Sequence, residues 1–177
     1  MKTQSDSIVI RYYCGEIPDH QNRFLSEVQH WPDDLLESVH DFIQWMFPLR
    51  EPSGFNPFAP LLDDASILEF RSNEGLQESL RTSFHRMLKF YGFASEPHNA
   101  SVRTGPKFAE QSRNWLNVGN HNHLRLTRII KSMNVLGLHP EARALSDCLV
   151  DIYQTNSGKI SERTLRFWQD ASRSEAD

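Results

Sequence analysis

Histidines spaced from carboxylates are the first residues in this chain that could do chemistry. Glu27 with His30, and Glu37 with His40, form two Glu-x-x-His pairs in quick succession. In four-helix di-iron proteins that spacing sets a carboxylate and an imidazole on one helix face, twice, beside two further glutamates. Here Trp31-Pro32 separates the two pairs, and a bundle geometry is hard to build from segments so close together. His121-Asn-His123 would share a side if extended, but at a helix start the two rings diverge, and zinc still needs a third ligand. Cys14 stands near Gly15, Glu16 and His20 without a located base or oxyanion donor, which is a thin basis for a nucleophile. No Gly-x-Ser-x-Gly, Gly-rich phosphate loop or dinucleotide fingerprint occurs. The sequence therefore assigns no catalytic residue, no metal ligand and no cofactor.

An anion site has more behind it. His121, Arg125, Arg128 and Ser132 recur at i, i+4, i+7 and i+11 behind Asn120 and Asn122. Guanidiniums beside free helix-start amides suit a carboxylate or phosphate. The competing reading pairs Arg125 or Arg128 internally with Glu37, Asp41 or Glu51, because a buried guanidinium normally finds a carboxylate.

These residues need elements to hold them. Ile8 to Cys14 is β-branched and aromatic, and reads as an extended piece lying across helices. Residues 23–31 read as a short helix stopped by Pro32. Leu35, Leu36, Val39, Phe42, Ile43 and Met46 recur at helical spacing after Asp33 and Asp34, so one helix is expected up to Pro48. Its other face would carry Glu37, His40, Asp41 and Gln44, with Trp45 at the edge. Residues 48–60 are rich in proline yet carry Phe55 and Phe58, so that loop is expected to fold back onto the domain. Asp63 and Asp64 cap a helix at 65–71, and Asn73 or Glu74 opens a longer one closed by Gly92. Residues 93–106 read as a loop, and 107–116 as a helix. Asn120 caps a helix at 122–136, ended by Gly137. Pro140 sits in the first turn of the next, Ser161 caps the last, and 172–177 is a frayed tail. The fold class is all-α, one domain over 1–177 with about seven helices and a Pro/aromatic-rich loop.

Bulk properties set the outer limits. The chain has 177 residues, 38% hydrophobic and 24% charged, which suits one ordinary globular domain. No apolar run approaches the roughly 18 residues of a membrane helix, and residues 2–6 lack a signal-peptide core, so a cytoplasmic protein is expected. With only Cys14 and Cys148, a disulfide framework is not expected. A net charge of −4 does not support nucleic acid as a partner, although residues 103–131 are locally basic. Residues 16–41 are acidic except for Arg23.

With these motifs assembled, the chain resembles the conserved N-terminal domain of the opioid growth factor receptor family, in its microbial stand-alone form. The likeness rests on His40-Asp-Phe-Ile-Gln-Trp-Met-Phe-Pro-Leu-Arg-Glu-Pro52, Met87-Leu-Lys-Phe-Tyr-Gly92, His121-Asn-His-Leu-Arg-Leu-Thr-Arg-Ile-Ile-Lys-Ser132 and Leu136-Gly-Leu138. It covers about 10–155, and Ser53-Gly-Phe-Asn-Pro-Phe-Ala-Pro60 is similar to the microbial loop. The resemblance implies an all-α fold and no catalytic residues. Animal members are described as receptors for the opioid peptide Met-enkephalin.

The sequence thus leads to a non-enzymatic binding module for a peptide or small anionic ligand. Its site is expected between the aromatic loop and the helix start after Asn120. Trp45, Phe55 and Phe58 would give apolar surface; Arg50, Arg125 and Arg128 would hold charge; His40, Gln44, Asn56, His121 and Asn122 would orient the ligand. The rivals are a metal-dependent or acid/base enzyme using His40 and His121, and a nucleic-acid module using residues 103–131.

Overall fold

The structure is a computed structural model that describes residues 7–96, 99–156 and 158–173. Among the described residues it is helical apart from a two-stranded hairpin, so the all-α class holds. The sequence reading expects one domain; the described residues group into two compact units divided between Arg86 and Met87. Each is taken by itself.

The first unit holds α1 (Ile8–Tyr13), α2 (Leu25–Val28), α3 (Asp33–Ser38), α4 (Ile43–Met46), α5 (Asp64–Ser72) and the larger part of α6 (Glu74–Tyr91). The expected extended piece is instead α1. Val9, Tyr12 and Tyr13 lie at i, i+3 and i+4, and burial of that face outweighs their weak helix propensity. Ser7 caps it through Ile10 N at 3.4 Å, and the Tyr13 hydroxyl donates to the Met46 carbonyl.

The expected single helix ending at Pro48 is also corrected, because it breaks into α3 and α4. Val39 is extended, with φ −94° and ψ 130°. The break frees Asp41 from a helical face, and its carboxylate meets Arg23 at 2.9 Å and His20 at 3.2 Å. Glu37, His40, Asp41 and Gln44 therefore form no common polar face: Gln44 is buried and His40 exposed. Further on, Asp63 caps α5 through Ser66 N at 2.8 Å, and Asn73 Oδ1 accepts from Gly75 N and Leu76 N at the start of α6.

The second unit continues from Met87. Gly92 closes α6 with φ +86°, and a Cβ there would lie 2.8 Å from the Phe108 Cα, so no other residue fits. The expected loop at 93–106 is a hairpin: β1 (Phe93–Glu96) runs antiparallel to β2 (Asn99–Thr104), with Phe93 opposite Thr104 and Ser95 opposite Val102. The expected helix at 107–116 is a short α7 (Phe108–Gln111) followed by a 3-10 turn. Then α8 (Asn122–Val135), α9 (His139–Thr155) and α10 (Glu162–Ala171) pack on one another, and β2 packs on α9. Asn120 Oδ1 accepts from Asn122 N at 2.9 Å, Pro140 lies in the first turn of α9, and Ser161 caps α10. Of the expected frayed tail, 174–177 lie outside the described residues.

Candidate functional site

In the first unit, the loop at 48–60 is fixed from its middle. The Ser53 hydroxyl accepts from Phe55 N and Asn56 N, and Asn56 Oδ1 accepts from Phe58 N at 3.0 Å. The buried Asn56 amide donates to the Asp41 carbonyl at 3.0 Å and reaches Gln44 Oε1 at 3.5 Å. Gln44 in turn donates to the His40 carbonyl at 3.4 Å. The Ser53 and Asn56 bonds to backbone amides two and three residues on are local turns of the kind short polar side chains favour. The ends of the loop are joined where Leu62 N donates to the Leu49 carbonyl at 3.0 Å. Anchored thus, the loop holds Phe55 82% and Phe58 66% exposed, which corrects the expectation that its aromatics fold inward. Trp45 and Phe47, just before it, are buried. Arg50 is exposed and pairs with Asp64 at 2.6 Å on the surface.

Behind Phe58 lies a polar cluster that the sequence reading passed over as an acidic run. The Arg23 side chain donates from Nε to the buried Asp19 carboxylate at 2.7 Å and from Nη1 to Asp41 at 2.9 Å. Asp19 Oδ1 also accepts from Gln21 N and Arg23 N, closing a turn in which Asn22 takes φ +62°. That turn presents His20, which contacts Asp41 through Nε2 and stacks on Trp45 at 6.0 Å and on Phe58 at 5.4 Å. Tyr12 meets Trp45 edge-on at 5.2 Å. Burial, helped by the nearby Asp19 charge, pushes the Tyr12 phenol well above its ordinary pKa. The spacing of Asp19 and Arg23 by four, around a His-Gln-Asn turn, was the available signal.

In the second unit, Asn122 and Arg125 are buried. Asn122 Oδ1 accepts from Tyr91 Oη at 3.3 Å and from Arg125 Nη1 at 3.4 Å. His121 is exposed and Arg128 half-buried. His123 faces inward: its Nε2 donates to the Trp115 carbonyl at 2.9 Å, and burial lowers its pKa. Trp115 Nε1 donates to the Tyr91 carbonyl at 3.0 Å and Trp168 Nε1 to the His123 carbonyl at 3.1 Å. Of the nine residues singled out as a site, the first unit thus brings Gln44 and Asn56 together below the aromatic loop. The second brings Asn122 and Arg125 together.

Among the described residues no group of three or more His, Cys, Asp or Glu could hold a metal ion. No described helix is long and apolar enough to cross a membrane. A shallow groove lined by Arg71, Ser72, Glu74, Gln77, Glu78 and Arg81 carries both signs of charge and none of the residues singled out from the sequence.

Comparison with known proteins agrees with the motif reading. The opioid growth factor receptor conserved region matches residues 2–177, a longer span than the motifs alone covered. The mouse opioid growth factor receptor is 41% identical over 138 residues, 75% of this chain and 22% of that protein. The human receptor is 39% identical over 75% of this chain and 20% of its own length, and opioid growth factor receptor-like protein 1 of Xenopus tropicalis is 33% identical over 77% and 27%. The chain therefore spans about a quarter of the length of these curated relatives. No solved structure matches it. On the whole-length family match and these identities, the chain belongs to the opioid growth factor receptor conserved-region family.

Proposed function

We propose that the chain is a non-enzymatic binding module, acting in the cytoplasm, for a peptide or small anionic ligand. The observation that carries this reading is the pair Phe55 and Phe58, held out to solvent on a loop that Asn56 anchors from below. Exposing two phenylalanines has a hydrophobic cost, and fixing their loop adds a cost in entropy, so a ligand that covers them gains from both. Trp45 backs the loop, Gln44 and Asn56 set its shape, and Arg50 and His40 offer polar groups in the same unit. In the second unit His121 and Arg128 are the accessible polar residues near the start of α8, where Asn122 and Arg125 fix the helix. The relatives' name supports a growth-factor ligand, and a peptide suits an aromatic loop edged by one arginine.

The test is a calorimetric titration of the protein with Met-enkephalin, the peptide named by the family resemblance. Saturable binding that weakens at least tenfold in Phe55→Ala/Phe58→Ala is expected. Both residues are exposed, so the fold tolerates the change. Binding that the double variant leaves untouched would remove the loop from the proposal.

A further inference from the structure

Besides three guanidinium nitrogens, on Arg11, Arg23 and Arg86, three buried ring atoms of the first unit have no hydrogen-bond partner among the described residues: Tyr12 Oη, Trp45 Nε1 and His20 Nδ1. They belong to rings packed in series, Tyr12 on Trp45 at 5.2 Å and Trp45 on His20 at 6.0 Å. Buried polar groups in folded proteins are bonded with few exceptions, so three on adjacent rings call for a cause. The neighbouring Asp19, Arg23 and Asp41 bond to one another and to His20 Nε2, and none of them bonds to these three atoms. Each unmade bond carries a desolvation cost that a suitable guest would remove.

We infer that these three rings form a subsite for a neutral aryl hydroxyl group, gated by Phe58. The inference rests on the proposal that the aromatic loop is the ligand face. The donor pattern selects the guest. Trp45 Nε1 can only donate. His20 Nε2 faces the Asp41 carboxylate, which can only accept, so that nitrogen carries a proton, and in this tautomer Nδ1 offers a lone pair. Tyr12 Oη does either. A guest must therefore accept from Trp45 and donate to His20, as a hydroxyl does and a carboxylate does not. Asp19, Asp41 and Glu27 outnumber Arg23 in the surroundings, which further disfavours an anion. The walls are aromatic, which favours a ring behind the hydroxyl. All three atoms are closed from solvent, so a guest enters only when a cover moves. Phe58 is that cover: it stacks on His20 at 5.4 Å, is 66% exposed, and sits in a loop between Pro57 and Pro60.

The experiment follows indole Nε1–H signals by NMR, with that of Trp45 identified by its loss in Trp45→Phe. Phenol is expected to shift the Trp45 signal saturably and to leave those of Trp115 and Trp168 in place. Toluene, the same ring without a hydroxyl, and benzoate should shift none. N-acetyl-tyrosinamide, run alongside, distinguishes a peptide side chain from a free small phenol as the source, and binding of phenol with or without it supports the subsite. In Phe58→Ala, hydrogen exchange at the Trp45 indole should quicken at least tenfold, with Trp115 and Trp168 unchanged. An unmoved Trp45 signal at high phenol, or an equal shift with toluene, overturns the subsite, and unchanged exchange in Phe58→Ala overturns the gate. Because phenol needs no peptide, its failure beside intact peptide binding sinks the subsite while leaving the proposed module in place.

Discussion

The two units each contain a cluster of tryptophan, histidine and tyrosine, and treat it in opposite ways. In the second unit the cluster is closed on itself: Trp115 donates to the Tyr91 carbonyl, His123 to the Trp115 carbonyl, and Trp168 to the His123 carbonyl. In the first unit, Trp45, His20 and Tyr12 pack just as closely, yet each keeps a buried polar atom without a partner among the described residues. Residue type and ring packing are alike, and satisfaction of the polar atoms is what differs. A satisfied network makes a single rigid core, whereas an unsatisfied one holds hydrogen-bonding capacity that the fold does not use. The contrast assigns architecture to the second cluster and is the basis of the subsite proposed for the first.

Truncation gives the largest separation between the two. Trp115→Ala empties a fully buried site and removes a donor to the Tyr91 carbonyl, and should cost about 3–5 kcal/mol of stability. Phe58→Ala, on the exposed edge of the first cluster, should cost less than about 1 kcal/mol. Urea denaturation of both variants checks the pair of values. Comparable losses would mean that the loop is as structural as the core.

Acid sharpens the same contrast by a smaller margin. The pKa of His123 is lowered chiefly by burial, so folding favours its neutral form. Its contribution to stability is therefore whole above the unfolded value near 6.5 and falls as pH drops from there through the folded value. His123→Gln, which keeps a donor for the Trp115 carbonyl, should flatten the decline of the urea midpoint between neutral and mildly acidic pH. A decline unchanged by the substitution would place the pH dependence on another group.

Much of this architecture could be read from residues alone, and the failures have physical causes. The elements with caps and long apolar stripes are where expected: α5 behind Asp63, α6 up to Gly92, α8 behind Asn120, and α10 behind Ser161. The errors are in short elements whose conformation is decided by tertiary partners. Residues of high strand propensity form α1 because Val9, Tyr12 and Tyr13 are buried together. The helical pattern running through Val39 is interrupted where Asp41 pairs with Arg23 and His20, partners far from it in sequence. The site was legible in part. The unusual run around Trp45 leads into the loop that carries the exposed Phe55 and Phe58, and Asn56, singled out as a ligand-orienting residue, is bonded as an anchor of that loop. His20, Tyr12 and Arg23 were missed because nothing local to them shows which rings and carboxylates they will meet.

Deleting one indole N–H from each cluster tests the central contrast most directly. Trp168→Phe removes one of two side-chain donors to the His123 carbonyl, leaving Thr127 Oγ1 at 3.0 Å, whereas Trp45→Phe removes a donor that has no partner among the described residues. Urea denaturation of the two variants should show Trp168→Phe less stable than Trp45→Phe by about 0.5–1.5 kcal/mol, the net worth of one buried hydrogen bond. Equal losses, or a greater loss in Trp45→Phe, would show that the Trp45 indole already has a partner in the fold, and would contradict the account.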